Sequence, residues 1–382
     1  IRTNVVDRWK HQILHYLSRA GFLAFVLGYF LLFVIKHTLV GRLVTFLFIP
    51  LAVLFYAFFR PLPEDVMARQ ERAIVQIPAG ASFQQIADSL IAAETLEHKT
   101  WFLVLGKLSG KEKKMRAGLF EVPKGLSTWS VLGYLETAPS YRIKVTLPEG
   151  IVSSQMAVIL EKRIGINAER FSALVNDSLF ASSLVPGIYS LEGFLLPETY
   201  FFEWKTPEKQ IIQHMVANTL KIFEADSVQA QLQLLKRSML EIVTLASIVE
   251  GEALVDSERA VIASLYHNRL RLGWPLQADP TIQFVVPGPP RRLLYKDLEI
   301  DSPYNTYKYA GLPPGPINNP GQKSLLATLF PATTSYLYMV AVGDGSHQFS
   351  KTLREHNRGH AKFNEVRQQL RREQRQKQAA GK

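Results

Sequence analysis

The chain has 382 residues and a formal charge of +11, but most of this charge lies at the two ends. Residues 1–42 hold six Lys/Arg against one acid and residues 367–382 hold six against one, so the body between them carries only +1. A nearly neutral body disfavours nucleic-acid binding, which would place a basic stripe on the folded domain, and the absence of cysteine excludes disulfides and thiolate metal sites.

Two uncharged apolar stretches lie near the start of the chain, Gly21–Ile35 and Leu43–Phe59. A helix needs about 20 apolar residues, with a lower limit near 17, to cross a bilayer. We therefore predict one transmembrane helix at Leu43–Phe59, and Gly21–Ile35 remains open as an interfacial helix, a packing partner or a second span. The basic residues before Leu43 predict a cytoplasmic segment at 1–42 and an exported body. No small-residue cleavage site follows either stretch, so a removable signal peptide is not expected.

An internal repeat follows in the exported body. Val75–Leu90 reads VQIPAGASFQQIADSL and Val145–Leu160 reads VTLPEGIVSSQMAVIL. Each copy alternates like a strand, passes a Pro-x-Gly turn and then changes to helical spacing. We predict two strand–turn–helix units in which Gly80 and Gly150 take a positive φ, with a weaker third copy at Glu121–Ser127. Such units are more often scaffold or ligand-docking modules than catalytic ones.

The next segment is predicted to be mainly helical. Thr206 and Pro207 read as the N-cap and first turn of a helix that runs to about Phe223. Gln229–Leu254 is expected to be mostly helical, and Ser257–Arg271 is expected to form an amphipathic helix.

Glu250 closes the apolar run Ile242–Val249, and Glu252 follows two residues later. Burial disfavours a charged carboxylate, so such a position favours a carboxyl that can donate a proton. Acid-assisted cleavage of a glycosidic bond requires a carboxyl of this kind. The structural alternative is a helix-end glutamate paired with Arg259 or another base.

Polar side chains are dense in the loops that follow Glu250. Sugars are bound by many neutral hydrogen bonds and by flat apolar faces, so these loops suit a carbohydrate groove. Asp279 before Pro280 is equally an ordinary turn or cap residue. His347 and His356 are nine residues apart with no third ligand at metal spacing, so neither a metal nor a cofactor is expected. The polar residues considered are Asn268, Gln277, Asp279, Asn305 and Tyr307.

Taken together, these segments resemble the YceG-like family of endolytic murein transglycosylases. The resemblance runs from about Ile74 to about Phe363. It depends on ordered blocks at compatible spacings, which include EGFLLPETY (192–200), LASIVEGEA (245–253), NRL (268–270), LQADPT (276–281), SPYNTY (302–307), GLPPGPINNPG (311–321) and EHN (355–357). This chain departs from the family at Gly251, where a bulkier residue is usual, and at Phe284, where tyrosine is common.

The resemblance implies an α+β fold behind one membrane anchor. A LysM-like module is expected at 73–140, and a second repeat with a linking region is expected at 141–230. The catalytic domain is expected at 231–366, followed by a flexible basic tail at 367–382. The protein would sit in the cytoplasmic membrane as a single-pass protein with its catalytic domain on the extracytoplasmic side.

The family's catalytic glutamate falls on Glu250, which would act first as acid and then as base in cleaving bonds between N-acetylmuramic acid and N-acetylglucosamine, leaving 1,6-anhydro ends. Glu252 would point roughly the opposite way along the helix, which suits a salt bridge or a secondary binding role. The sugar-positioning candidates are Gln277, Asp279, Asn305 and Tyr307, with Asn268 as a further binding candidate.

The expected partners are peptidoglycan glycan strands, the membrane and, as the family implies, peptidoglycan synthases, with no nucleic acid. Two other interpretations remain open. The chain could be a non-catalytic, membrane-tethered peptidoglycan-binding protein. It could also be a wall hydrolase that uses Glu250 with Glu252 or Asp279 and leaves reducing ends.

Overall fold

The structure is a computed structural model that describes residues 71–289, 291–359 and 361, together with the isolated positions 28, 29, 46 and 51. The predicted spans Leu43–Phe59 and Gly21–Ile35, apart from these isolated positions, and the basic tail 367–382 lie outside the described residues. No helix in the described part of the chain is long and apolar enough to cross a membrane. The predicted α+β class is confirmed, because helices alternate with short antiparallel strand pairs. The chain divides into two compact units between Tyr141 and Arg142.

The described part of the first unit is a small α+β module. The strands Arg72–Ile77 and Gly118–Pro123 pair antiparallel with Val75 opposite Phe120, and both of these side chains are buried in the core. A short 3-10 helix spans Lys111–Lys114. The elements in chain order are β1 (Arg72–Ile77), α1 (Phe83–Ala92), α2 (Lys99–Leu108), β2 (Gly118–Pro123) and α3 (Thr128–Thr137).

The predicted strand–turn–helix unit is confirmed in this module. Gly80 takes a φ of +74° between β1 and α1. Ser82 caps α1, because its hydroxyl accepts the Gln85 N–H at 3.3 Å while Gln85 Oε1 accepts the Ser82 N–H at 2.8 Å. The weaker third copy has the same form, since Gly125 has a φ of +76° between β2 and α3.

The described part of the second unit is mainly helical. Its first two strands in chain order pair antiparallel, as do its last two, and short 3-10 helices span Asp256–Glu258 and Tyr295–Glu299. The remaining elements are β3 (Arg142–Thr146), α4 (Ser153–Ile164), α5 (Ala168–Val175), α6 (Ser178–Leu184), β4 (Thr199–Glu203), α7 (Glu208–Phe223), α8 (Asp226–Leu235), α9 (Met239–Glu252), α10 (Arg259–Arg271), α11 (Asp279–Val285), α12 (Gln322–Leu329), β5 (Tyr338–Ala341) and β6 (His347–Ser350).

Helix α7 ends at Phe223 as predicted, but its predicted start is wrong by one residue. Pro207 occupies the N-cap, and the Thr206 hydroxyl bonds back to the Glu203 carbonyl at 2.8 Å. Thr206 therefore closes the turn after β4 instead of capping the helix. Pro207 at this position has a β-like ψ of 135°, which delays the first helical residue to Glu208.

Helix α9 lies at the centre of the second unit and is buried along its whole apolar run. Ile242, Val243 and Ala246 belong to a core that also contains the strand and helix of the second repeat. Leu245 and Ile248 belong to a second core with side chains of α10 and the 317 region. Each large apolar side chain buried in this way contributes about 1.5–3 kcal/mol. This burial on both faces fixes α9, and with it the position of the carboxylates in its last turn.

Candidate active site

Glu250 lies in the last turn of α9, and its side chain extends into a cluster of polar groups. Its Oε1 accepts a hydrogen bond from Arg259 Nη1 at 2.9 Å, and its Oε2 accepts the Gly321 backbone N–H at 3.0 Å. The side chain is only 6% exposed. The structural alternative considered from the sequence, a pair with Arg259, is therefore present. It is one part of a larger arrangement of charges.

Arg259 begins α10 and brings several charges together. Its Nε donates to Asp256 Oδ1 at 3.1 Å, and Nη1 also donates to the Ser324 hydroxyl. Its Nη2 lies 4.0 Å from Glu149 Oε2. The guanidinium is almost fully buried, so the positive charge is held in place among three carboxylates and a hydroxyl group. Such a fixed fork can contact several oxygens at once, which a lysine cannot do.

Glu149 and Gly150 reach this group from the turn of the second repeat. Gly150 has a φ of +74°, and a Cβ at this position would lie 3.3 Å from Glu250 Cγ. Glu149 packs against Gly321, where a Cβ would lie 2.1 Å from Glu149 Oε1. The predicted positive φ is confirmed for Gly150 as for Gly80. The repeat is predicted to be a scaffold or ligand-docking module, and its second copy supplies a carboxylate beside Glu250.

Glu149 is not among the site residues predicted from the sequence, although a comparison of the two repeat copies points to it. The first copy reads Pro78-Ala79-Gly80 where the second has a glutamate between the same two residues. Because Ala79 and Glu149 occupy equivalent turn positions, the charge is not needed to form the turn.

The surroundings of Glu149 favour its protonated form. Partial burial raises the pKa of Glu149, and the nearby Glu250 charge raises it further. Arg259 and Lys323 oppose this shift, while Asp256 adds to it weakly. The side chain nevertheless keeps 42% of its surface exposed, far more than Glu250.

Asn319 connects the loop before Gly321 to the turn that carries Glu149. Its backbone carbonyl accepts the Gly150 N–H at 2.9 Å, and its own N–H donates to the Ile151 carbonyl at 3.1 Å. Its side-chain amide donates to the same Ile151 carbonyl. Asn319 is fully buried. These bonds therefore fix the 147–150 turn against residues 319–321.

The Glu192–Gly193 stretch holds Asn319 from another direction. Asn319 Oδ1 accepts the N–H groups of Gly193 and Leu195 at 2.8 and 3.1 Å, and its Nδ2 donates to Glu192 at 2.7 Å. Glu192 also accepts the N–H and hydroxyl of Ser153 at the start of α4. Burial raises the pKa of Glu192, and the hydrogen bonds from Ser153 and Asn319 oppose the shift. The EGFLLPETY block thus supports the site through Asn319.

Glu252 belongs to a second cluster of polar side chains, and its contacts differ from those of Glu250. Its Oε1 accepts the Tyr266 hydroxyl at 2.9 Å, and burial raises the pKa of Glu252 to about 7. The Asp279 charge adds to this shift, and the Tyr266 hydrogen bond opposes it. Tyr307 donates its hydroxyl to Asp279 Oδ1 at 2.5 Å. Three of the predicted binding residues, Glu252, Asp279 and Tyr307, therefore lie in one neighbourhood.

The other predicted binding residues mainly shape loops. Asn305 is fully buried; its amide donates to the Leu298 and Ile300 carbonyls, and its Oδ1 accepts the Tyr307 N–H. Asn268 donates to the carbonyls of residues 334 and 336. Gln277 is exposed, with a φ of +48° and its N–H bonded to the Thr306 carbonyl. Of these three side chains, Gln277 is the most accessible to a ligand.

Gly251 lies between Glu250 and Glu252 in the chain, and local packing explains why this residue is a glycine. A Cβ at Gly251 would lie 2.7 Å from the Pro280 ring, which cannot easily move aside. This close approach brings the start of α11 against the end of α9.

His347, considered above as a metal ligand, pairs with Glu258 at 2.8 Å. Within the described ranges, no group of three or more His, Cys, Asp or Glu is placed to hold a metal ion.

Comparison with known proteins gives the family. The model of the YceG-like family matches residues 75–362, which is about three quarters of the chain. The chain belongs to the YceG-like family. The resemblance carried by the sequence blocks is confirmed.

Relatives of known name agree with this assignment. The endolytic murein transglycosylase of Bacillus subtilis is 34% identical over 305 residues, which cover 76% of this chain and 84% of that protein. The endolytic murein transglycosylase of Streptococcus pneumoniae serotype 2 is 28% identical over 329 residues, which cover 78% of this chain and 59% of the longer relative. The crystal structure of a YceG-like protein from Listeria monocytogenes is 32% identical and superposes with a TM-score of 0.53, covering 75% of this chain and 98% of that structure.

Proposed function

We propose that this chain is an endolytic murein transglycosylase, a lyase that cuts peptidoglycan glycan strands, with Glu250 as the reacting carboxylate. The observation that carries the proposal is the placement of Glu250 at the end of a helix buried on both faces, where Arg259 and the Gly321 N–H fix both of its oxygens. The relatives named for this activity support the reaction class.

The reaction needs one carboxyl group and no water. Protonated Glu250 gives its proton to the oxygen that bridges N-acetylmuramic acid and N-acetylglucosamine, and the bond from that oxygen to the muramyl C1 breaks. The muramyl C6 hydroxyl oxygen then bonds to C1, and its proton returns to the Glu250 carboxylate. The products are a free hydroxyl on one fragment and a 1,6-anhydro ring on the other. One group can serve as acid and then base because the proton it loses is restored.

Arg259 supports both states of this cycle. Its guanidinium stabilises the carboxylate that remains after the proton has left, and it fixes the orientation of the side chain. A hydrolase instead uses two carboxyl groups and consumes a water molecule in the reaction. Glu252 faces Tyr266 and not this group, which argues against Glu252 as such a partner.

The loops beyond α9 are proposed to bind the sugars. Gln277 offers an accessible amide, and Asp279 is oriented by Tyr307. Burial raises the pKa of Glu252 near Asp279 to about 7, which limits the negative charge beside these loops. Asn305 and Asn268 act by holding these loops in shape.

The place of action is also a proposal. We expect Leu43–Phe59 to anchor the protein in the cytoplasmic membrane, with the catalytic unit on the extracytoplasmic side and residues 73–140 acting as a LysM-like module. The enzyme would then cut nascent strands close to the bilayer and limit their length, working beside peptidoglycan synthases.

Mass analysis of the products released from purified cell wall tests the reaction class. A transglycosylase gives anhydro-muramyl ends that are lighter by one water than the reducing ends of a hydrolase. A non-catalytic binding protein is retained on the wall and releases no fragments. Anhydro ends in internal fragments support the proposal, whereas reducing ends or an absence of fragments contradict it.

A further inference from the structure

Helix α2 of the first unit carries an apolar stripe on its exposed side. The helix buries Phe102 in the core of the module and also buries Gly106, whereas Trp101, Val104 and Leu108 are exposed. Residues three and four apart lie one above another along a helix, so these three side chains share one face. Leu108 is 81% exposed. Such a stripe differs from the single exposed apolar residues that are normal on a protein surface.

The chain around this stripe is strongly basic. Residues 99–116 hold six Lys/Arg and one acid, Glu112, which gives +5, while residues 43–366 as a whole carry only +1. Lys107 follows Val104 by three residues and is exposed on the same side of α2. The positive charge of the body is therefore concentrated on one helix and on the short 3-10 helix that follows it.

Part of this charge is neutralised within the module. Lys111 and Lys114 share the single carboxylate of Glu136, each at 2.5 Å, and Lys99 pairs with Asp88. When Asp88 and Glu136 are counted together with residues 99–116, a charge of +3 is left. An anionic surface placed against α2 would therefore meet both an apolar stripe and a net positive charge.

The predicted membrane anchor would keep this module near a bilayer. Phe59, the last residue of the predicted span, lies 13 residues before Arg72, the first residue of β1. A fully extended chain of that length reaches at most roughly 45 Å. A bilayer that holds the anchor is therefore the surface that α2 would meet most often.

We propose that the α2 face formed by Trp101, Val104, Lys107 and Leu108 docks on the anionic lipid surface of the membrane that holds the chain. This inference rests on the proposed anchor at Leu43–Phe59. Apolar side chains of an interfacial helix insert at the boundary between headgroups and acyl chains, and basic side chains are attracted to anionic headgroups. Docking holds the first unit at the lipid surface instead of leaving it free on its tether.

Two other occupants fit this face less well. Sugars are bound by several placed neutral hydrogen-bonding groups, whereas this face offers mainly aliphatic and ammonium groups around Trp101. A second copy of the chain would bring the same positive charge against itself, and like charges across an interface disfavour association. An anionic lipid surface matches both the apolar and the charged parts of the face.

The experiment uses the absence of cysteine from the chain. The full chain with one introduced cysteine, V104C or L108C, is labelled with an environment-sensitive fluorophore. It is reconstituted into vesicles of equal parts phosphatidylglycerol and phosphatidylcholine that also contain a lipid with a nitroxide near the headgroup end of its acyl chain. L234C is the matched control, because Leu234 is 75% exposed near the end of a helix in the second unit.

Both α2 labels should report contact with lipid. We expect blue-shifted emission from V104C and L108C and at least about twofold quenching by the nitroxide lipid, because the apolar face of an interfacial helix lies about 5–10 Å deep. The label at L234C should stay unquenched. Because the nitroxide lipid is present in both leaflets, the readout does not depend on which way the protein inserts.

The charge requirement is tested in the L108C background. K107Q with K113Q removes two exposed lysines, and vesicles of phosphatidylcholine alone remove the anionic lipid; each change should weaken the quenching. K162Q with K221Q removes two exposed lysines of the second unit and should leave the quenching unchanged. Equal effects of the two double variants would contradict a docking face on α2.

Unquenched α2 labels overturn the inference, as does quenching of L234C equal to that of L108C. A blue shift without quenching would show that protein and not lipid covers α2, which also overturns it. Flotation separates this outcome from the proposed anchoring. Protein that does not float with the vesicles refutes the anchor and the docking together, whereas floating protein with unquenched α2 labels refutes only the docking.

Discussion

Arg259 Nη1 lies 2.9 Å from Glu250 Oε1, and the two side chains are only 9% and 6% exposed. Removing one partner of a buried ion pair leaves the other charge without compensation, which typically costs about 3–5 kcal/mol. The same guanidinium also holds Asp256 and Ser324. The pair is therefore both a structural contact of the second unit and the setting for the proposed chemistry.

Lysine in place of Arg259 keeps the charge but cannot reach Glu250, Asp256 and Ser324 together. We expect R259K to lower the free energy of unfolding by about 2–4 kcal/mol and to reduce the cleavage rate. Urea unfolding followed by circular dichroism measures the first effect. R170K is the matched control, because Arg170 is 74% exposed in its ion pair with Glu208, and it should change stability by less than about 0.5 kcal/mol. Equal effects of the two substitutions would contradict the role given to Arg259.

Alanine in place of Asn319 leaves the Gly193 and Leu195 N–H groups without their acceptor inside the protein. Each buried donor left unpaired costs about 1–3 kcal/mol, so N319A should destabilise the protein by about 3–5 kcal/mol. It should also lower activity, because the chain next to the 147–150 turn loses the bond from the Asn319 amide to the Ile151 carbonyl. The exposed Asn176, whose amide bonds to Ser172, provides the control N176A. A loss below about 1 kcal/mol in N319A, measured by urea unfolding, would disprove this assignment.

Two glycines of the site should respond differently to alanine. At Gly193 a Cβ would lie 2.4 Å from the Pro316 ring, and φ is +85°, so G193A should unfold the protein or cost several kcal/mol. At Gly321 the obstacle is the Glu149 carboxylate, a flexible side chain that can move away. G321A should therefore fold with a melting temperature near that of wild type while its activity changes. A G321A melting temperature as low as that of G193A would show that this contact is rigid, contrary to our interpretation.

The raised pKa of Glu252 predicts a pH dependence of stability. Between about pH 4.5 and 7 the unfolded chain has lost this proton while the folded protein retains it. Folding stability due to this group therefore falls as pH rises through that window, by at most about 3 kcal/mol, and is constant above it. E252Q should remove this part of the slope, measured as the difference between the two unfolding curves across pH. Parallel curves for wild type and E252Q would mean that Glu252 titrates normally.

Much of the fold could be predicted from the residue pattern. The Pro-x-Gly turns at Gly80 and Gly150 and the helix ending at Phe223 follow from local rules that need no knowledge of tertiary contacts. The predicted start of that helix is wrong because Pro207 itself occupies the N-cap position. A proline at the start of a helix occupies either the N-cap or the first helical position. These positions differ by one residue, and local rules do not distinguish them.

The candidate site was harder to predict because it is assembled from distant segments. The apolar run before Glu250 pointed to that residue, but its neighbours Glu149 and Gly321 lie 101 residues before and 71 residues after it in the chain. The tertiary bonds of Asn319, and the bonds from Ile317 and Asn318 to Ser247, bring these segments together. The polar side chain of Asn305 predicts a contact with sugar, yet its amide bonds to carbonyls inside its own loop. Composition alone does not distinguish a loop-forming amide from a sugar-binding one.

The proposed role of Glu250 as the proton carrier in strand cleavage is tested by anhydro-end release from E250Q, measured beside wild type and E224Q, which removes an exposed charge at the C-terminal end of α7. Glutamine keeps the size of the side chain and removes the titrating proton, so we expect the rate to fall by about a thousandfold or more while binding to purified wall persists and E224Q matches wild type. An E250Q protein that releases anhydro ends within about tenfold of the wild-type rate would show that Glu250 does not carry the proton.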